Sequence, residues 1–541
     1  MRLYRFSAWI LLLLPLIGAG QSFTDSNLPI VVISSRGATI VDEPKIVADM
    51  QIIDNGAGKR NYLTDKASFR SVIGIELRGA SSQSFPKKPY GIELRDSTGI
   101  NSVAQSILGM PAESDWVLNA SYNDKTLLRE TLTYDFFHKM SKYYASRFRY
   151  CELVLNGEYR GIYIVMERLK RDKNRVNISN IKKTDIAGDA LTGGYILKLD
   201  KTEGSTSRTW TSPYTGGPNR LPIRIQIDRP KPEDLADEQF QYIRQYVTEF
   251  EGALNGTDFT DPEKGFRKFA DEESFIDYLL LTEICKNIDG YRISAFFSKD
   301  RDSKNHRLVM GPIWDYNLAY GNADYCDGNN FRGWAFDYNT LCPGDIYPVP
   351  FWWSRLLQDL EFGKKVKAKY KVLRQTVLTS QRFGSFIDST ATVLTESRFR
   401  NFNKWPVIGV YVWPNGYVGP TYQGEVDYLK DWITKRLNWM DTAIEPFGTA
   451  ILATEPNALV LGPNPSVGDV LVSLPLSATS DVALTLTDMQ GRLLHQVRWP
   501  NQPTGTFERT LSADRFTRGP GTYLLTLTTQ NGPVSKVIVR Y

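Results

Sequence analysis

Hydrophobic periodicity changes kind at Ala450, and that break constrains the fold more than any other feature of this chain. Before it, runs that alternate with period two are mixed with long apolar patterns of helical spacing. After it, only short alternating runs remain, parted by Gly, Pro and Asn. The clearest pattern before the break is Val426, Leu429, Ile433, Leu437, Met440 and Ile444, spaced 3, 4, 4, 3 and 4. That spacing lines one face of a helix over Glu425–Ile444, and Pro446 stops it. Beyond the break, Val470–Leu474, Val482–Thr487, Thr522–Thr528 and Val534–Arg540 read as strands of an all-β module over residues 455–541. The body, residues 21–450, is α+β. At 541 residues the chain is too long for a single core.

Within the body, Pro29–Ile33, Gly74–Arg78 and Tyr90–Leu94 predict strands, the last two joined by a small-residue loop over residues 79–89 that ends in Lys87 and Lys88. A helix is expected over Lys125–Lys142, with Asn123 or Asp124 as its N-cap. Cys151–Leu155 and Tyr163–Glu167 flank Asn156-Gly157, the strongest short hairpin signal. A second half opens near Gly193, with strands at Gly194–Asp200 and Ile223–Asp228 and helices at Glu233–Leu254 and Asp271–Asn287. A strand pair, Ala295–Phe297 and Leu308–Met310, precedes Trp314-Asp315, and helices resume around Val349–Val377.

The first 20 residues have the layout of a signal peptide: Arg2 and Arg5, the apolar run Ile10–Ile17, then Gly18-Ala19-Gly20 before Gln21. The run is much shorter than the ~20 residues a membrane span needs, so an exported chain without a span is expected. Export makes disulfides possible. Cys326 and Cys342 bracket a loop rich in Gly, Asn and Asp and form the expected bond; Cys151 and Cys285, among apolar neighbours, are expected as buried thiols. Three His and no Cys-x-x-Cys argue against structural zinc. A net charge of +5 over this length offers no electrostatic case for nucleic acid. Aromatic content of 12%, with twelve Trp, points to broad cores.

The chemistry concentrates in Lys286-Asn287-Ile288-Asp289-Gly290 and in Pro312-Ile313-Trp314-Asp315-Tyr316-Asn317. Asp289 and Asp315 stand 26 residues apart, each near an expected strand, so they can converge. Phosphoryl transfer needs such a pair: one carboxylate to accept the proton of an attacking hydroxyl, one hard oxygen donor for Mg²⁺. By spacing alone, an Asp in a strand-end loop is more often a turn former.

Ordered motifs add to that reading. They are Arg78-Gly79-Ala80-Ser81-Ser82 with Phe85-Pro86-Lys87-Lys88-Pro89-Tyr90, then Trp116-Val117-Leu118-Asn119 with Leu128-Arg129. Val154-Leu155-Asn156-Gly157-Glu158-Tyr159-Arg160-Gly161 with Glu167 follows, and Asn287 with Asp289 and Trp314-Asp315 close the series. From about Leu28 to Phe447 the chain resembles the spore-coat protein H (CotH) kinase family. The resemblance implies an atypical, two-lobed protein-kinase-like fold, with an N-lobe over about 28–190 and a C-lobe over about 191–447. It implies ATP with Mg²⁺ or Mn²⁺, and Ser or Thr on a protein as the phosphate acceptor. Arg78 and the loop of Ser81 and Ser82 would lie over the nucleotide phosphates. Lys87 or Lys88 would pair with them, Lys88 being preferred as nearer the next strand. Glu167 would sit by the adenine, Asp289 would be the catalytic acidic residue and Asp315 the metal ligand. One position departs from the kinase pattern: five residues after Asp289, where Asn is the usual second metal ligand, stands Ser294. A hydroxyl is the poorer ligand, and Asn317 could compensate. A catalytically silent surface or adhesion protein of the same fold is the rival reading, favoured by the scarcity of ATP outside the cell.

The terminal module carries Gly462-Pro463-Asn464-Pro465-Ser466, Gly491-Arg492, Gly521-Thr522-Tyr523 and Lys536-Val537-Ile538-Val539-Arg540. In order and spacing these resemble the type A sorting domain of type IX secretion cargo, an Ig-like sandwich. This implies a secreted or cell-surface protein handled by the type IX machinery, with the module as a tag that takes no part in the chemistry. An ordinary Ig-like adhesion domain is the alternative.

Overall fold

The computed structural model describes residues 23–449 and 459–540, apart from 203–206, 218, 465, 477–478, 504, 517–518 and 531. The expected signal peptide, its cleavage point at Gln21, the linker after Ala450 and Pro465 lie outside the described residues. Helices and strands are mixed throughout the body, as expected of an α+β chain. The chain divides into two compact units, one holding the described part of residues 1–120 with Arg149–Met166 and Val393–Trp405, the other holding the rest.

The second unit is built on an antiparallel sheet whose strands run in the order Thr209–Gly216, Leu221–Arg229, Tyr195–Leu199, Ala295–Lys299 and Leu308–Met310. Its central helix, Glu272–Cys285, is buried along its whole length from Ser274 onward. The Asp271 carboxylate caps this helix by accepting from Ser274 N at 3.2 Å. The helix Tyr422–Ala443 covers the span read from its 3,4 spacing and starts at the Thr421 N-cap. One expected helix differs: it runs over Arg129–Met140 only, because the Asp124 carboxylate takes Thr126 N at 3.1 Å and Arg129 N at 2.8 Å and folds the preceding residues into a turn. The helices expected around Val349–Val377 are Trp352–Leu356 and Leu360–Thr376. Asp359 caps the second, its carboxylate accepting Glu361 N at 2.8 Å and Phe362 N at 3.3 Å. Cys326 and Cys342 are bonded, and Cys151 and Cys285 are buried thiols, as expected. Residues 459–540 form a three-stranded and a four-stranded sheet whose apolar side chains share one core.

The first unit is a closed barrel. Its strand order is Phe148–Leu155, Glu158–Glu167, Asp115–Asn119, Tyr90–Arg95, Phe69–Leu77, Ile46–Ile53 and Ile30–Ser34, and the last strand closes on the first in parallel. Alternation explains the filling: Ala48, Met50 and Ile52, Ile73 and Ile75, Ile92 and Leu94, and Trp116 and Leu118 all point inward. Asn156 and Gly157 turn the hairpin with φ of 52° and 78°, the left-handed pair a type I′ turn requires.

A helix from far along the chain, Thr395–Lys404, completes this unit. Arg400 Nε donates to the buried Glu152 carboxylate at 3.0 Å, and Trp405 Nε1 donates to Arg160 O at 2.9 Å. Asn401 Oδ1 accepts from Ile162 N at 3.1 Å and from Lys87 Nζ at 3.0 Å. It lies only 2.5 Å from where a Cβ on Gly161 would stand, so no side chain fits there.

Lys87 is 1% exposed, and its amine also donates to Ile162 O at 2.5 Å. Burial pushes its pKa down to about 7. The folded protein therefore binds fewer protons than the unfolded chain between about pH 7 and the ordinary lysine value of 10.5. Lys87 thus makes stability rise with pH through that window. Urea unfolding of the parent protein and of Lys87→Met at stepped pH should show the rise in the first and not in the second. Parallel profiles would contradict it.

Candidate functional site

The central helix ends at Lys286, whose φ of 44° makes a left-handed C-cap and throws the chain into Asn287-Ile288-Asp289. Asn287 then joins the two acidic segments singled out in the sequence. Its Oδ1 accepts from Asp289 N at 3.3 Å, and its Nδ2 donates to Asp315 O at 3.2 Å.

Asp289 has a side chain 18% exposed and an ion pair with Arg292 at 2.6 Å. Arg292 is itself held by Ile288 O at 3.0 Å, Asp345 at 3.1 Å and Tyr347 O at 3.2 Å. Burial raises the Asp289 pKa, and the Arg292 charge opposes that rise. The result is a carboxylate fixed in orientation and more basic than usual, the properties of a general base. The Tyr325 phenol is raised by burial and then by the charge of Asp289, with a smaller contribution from Asp315.

Asp315 is exposed and has a φ of 62°, a conformation that costs a residue with a side chain about 1–3 kcal/mol and needs support. Glu130 gives that support: its Oε2 accepts from the next amide, Tyr316 N, at 2.8 Å. Glu130 is 3% exposed. Its pKa is pushed up to about 8, by burial first and by the Asp315 charge second. Asn317 is tied through its donor end, Nδ2 giving a 3.1 Å bond to Asn123 Oδ1. Asn123 O in turn accepts from Asn322 at 3.2 Å and Asn415 at 2.7 Å. This leaves Asn317 Oδ1 without a hydrogen bond among the described residues. Ser294 is half-buried, with φ of 54° and no hydroxyl hydrogen bond among the described residues.

No group of three His, Cys, Asp or Glu side chains gathers among the described residues. The donors here are one exposed carboxylate and one amide oxygen. That set fits Mg²⁺, which keeps several waters and takes one or two protein oxygens plus phosphate oxygens, and it does not fit a cation that needs a full protein cage.

The remaining expected residues lie in other surroundings. Ser81 and Ser82 begin a 3-10 turn over Ser81–Ser84, closed by Ser84 Oγ on Ser81 O at 2.7 Å. Arg78 N donates to Pro89 O across the base of the loop at 3.2 Å. Lys88 Nζ donates to Gln83 O at 2.6 Å, so Lys88 belongs to the loop, while its neighbour Lys87 is enclosed in the barrel unit and does not face a solvent-borne ligand. Glu167 is fully buried. It accepts from Arg147 N at 2.9 Å, Arg147 Nη1 at 2.9 Å and Tyr144 OH at 3.0 Å.

Glu130, Asn123 and Asn415 were not foreseen. Leu128, Leu132 and Phe136 are spaced along one face of the expected helix, which leaves Glu130 on the other, but residues 129–134 are all buried. A carboxylate in the first turn of an otherwise enclosed helix was the only available signal. Glu130→Ala should expose the Tyr316 amide and lower stability by about 1–3 kcal/mol, because a buried donor loses its acceptor. Glu130→Gln keeps an acceptor and should retain most of the protection. Amide hydrogen exchange over residues 313–318 and denaturant unfolding measure the two effects, and equal exchange in all three proteins would refute the role.

Comparison with protein families gives a match to the model described as CotH kinase protein over residues 75–440, well over half of the 541-residue chain. Curated proteins give no match. The matched span includes Arg78, the serine-rich loop, Glu130, Asn287, Asp289, Asp315 and Asn317. The chain belongs to the CotH kinase family.

Proposed function

We propose that this protein is a secreted, ATP- and Mg²⁺-dependent kinase that phosphorylates Ser or Thr on a protein. The observation that carries the reading is the Asn287 side chain, which ties the Asp289 backbone to that of Asp315. Family membership supports the class of reaction. In this reading Asp289, oriented by Arg292, accepts the proton of the acceptor hydroxyl. Asp315 and Asn317 Oδ1 hold Mg²⁺ or Mn²⁺, with Ser294 as a weak further donor. The bound cation supplies positive charge against the phosphoryl oxygens. Arg78, Ser81, Ser82 and Lys88 face the nucleotide phosphates, and Glu167 acts indirectly, by fixing Arg147 and the chain at that point. The fold is then the two-lobed arrangement of an atypical protein kinase, and residues 455–541 are an Ig-like sorting domain read by the type IX machinery. The Cys326–Cys342 bond suits an oxidising compartment, and no described helix is long and apolar enough to cross a membrane.

A silent, structural reading is favoured by one observation: Ser294 stands where a kinase has its second amide ligand. The two readings part in a direct assay. Purified mature protein, labelled ATP and Mg²⁺ or Mn²⁺ should give autophosphorylation. Asp315→Asn should weaken metal-dependent ATP binding in calorimetry, because a neutral amide offers less charge to the cation. Asp289→Asn should bind nearly as the parent does and transfer ~10²–10⁴-fold more slowly. Absence of metal-dependent ATP binding in the unmodified protein would decide for the silent reading.

A further inference from the structure

A cleft with a volume of about 610 Å³ opens in the second unit between residues 138–147, 173–178 and 298–312. None of Asp289, Ser294, Asp315 or Asn317 lines it. Its charge is one-sided. Lys142, Arg147, Lys173 and Arg175 line it, with His138, whose pKa is lowered by burial; the one carboxylate among the lining residues is Asp300, whose Oδ1 already accepts Ser179 N and Arg301 N at 2.8 Å each.

The cationic groups are arranged at two depths. Arg147 is clamped through one nitrogen: Nη1 donates to Glu167 Oε1 at 2.9 Å, to Glu167 Oε2 at 3.1 Å and to Asn174 O at 3.0 Å. With a side chain still 39% exposed, the guanidinium is held in a fixed orientation, and Nε and Nη2 carry no hydrogen bond among the described residues. Lys142 and Lys173 are exposed on separate segments of the rim; Lys142 donates to the Glu273 carboxylate, and Lys173 has no carboxylate partner among the described residues. The hydroxyl of Ser298 and the amides of Asn174 and Asn177 add neutral hydrogen-bonding groups, while Val176, Met310 and Pro312 give an apolar stretch of wall.

We propose that this cleft is a second ligand site, for a phosphate monoester. A carboxylate carries one charge and two oxygens. A phosphate monoester carries close to two charges and three terminal oxygens, which suits a clamped guanidinium flanked by the Lys173 ammonium and by Lys142, whose charge Glu273 shares. The apolar wall takes the group that bears the phosphate. Glu167 keeps Nη1, and the ligand takes the Nε and Nη2 edge of Arg147. The same chemistry can arrive on a phosphorylated serine of a protein or as free orthophosphate. This site stands apart from the proposed transfer reaction and does not depend on it.

Calorimetric titration of the intact protein, without metal, with inorganic phosphate, with a phosphoserine peptide and with its unphosphorylated form tests the assignment. Saturable binding of phosphate or phosphopeptide and none of the plain peptide is expected, the tighter of the first two identifying the source. The double variant Lys142→Glu with Lys173→Glu alters exposed side chains only and should weaken binding by about tenfold or more, since each reversal replaces attraction with repulsion. Asp315→Asn should leave it unchanged. No saturable binding up to about 10 mM, a limit at which any affinity is negligible, would overturn the proposal. So would binding unaffected by the rim variant, or binding abolished by Asp315→Asn.

Discussion

One buried ammonium holds the site together. Lys286, 1% exposed at the end of the central helix, donates to Asp327 O at 2.9 Å, Asp327 Oδ2 at 3.0 Å, Asn330 O at 2.9 Å and Arg332 O at 2.6 Å. Three of the four acceptors are backbone carbonyls of one loop. A polar loop can be packed against a protein interior only if its carbonyls find donors, and a single –NH₃⁺ supplies three. Burial lowers the Lys286 pKa and Asp327 opposes the fall, so the charge is kept where the loop needs it. The next residue along the chain is Asn287, so the group that orders the loop also fixes the start of the Asp289 segment.

A second cation does the same work from the other side. Arg436, on the long helix Tyr422–Ala443, donates to Glu283 O at 2.9 Å, Phe331 O at 2.8 Å and Gly333 O at 2.6 Å. Glu283, buried beside it, accepts Ala335 N at 2.8 Å and Phe336 N at 3.0 Å. The segment after Asp315 is therefore held by Lys286, Arg436, Glu283 and the Cys326–Cys342 bond. Asp315 itself is treated differently. It stays exposed and strained, and the buried Glu130 and the asparagine cluster secure its neighbours on either side of it in the chain. Rigid neighbours around an exposed carboxylate present a charge to solvent without letting it wander.

Much of this was legible in the sequence because it is local. Period-two runs, the Asn156-Gly157 turn, the 3,4-spaced helix before Pro446 and the pairing of Cys326 with Cys342 depend on neighbours within a few residues or on one bracketed loop. Asp289 and Asp315 stood out because two carboxylates near strand ends suit one chemistry, and their residue types survive whatever the fold does. The lysines after the serine-rich loop were left as alternatives, and geometry separated them: Lys88 turns to Gln83 O, Lys87 to Ile162 O and Asn401.

The amino-acid sequence by itself marked many of the helices and strands, the all-β character of the terminal module and which carboxylates are candidates. Only the tertiary structure decided what each charge faces. The helix Thr395–Lys404 joins a barrel whose other parts end at residue 166, and no periodicity announces a contact across more than 200 residues. Glu167 was expected by the adenine and is buried, held by Arg147 and Tyr144. Glu130 was invisible for a related reason: hydrophobic spacing marks the apolar face of a helix but does not say whether the opposite face meets water or another part of the protein. The environment of an ionisable group depends on chain segments distant in sequence, and their approach is settled only when the whole chain packs.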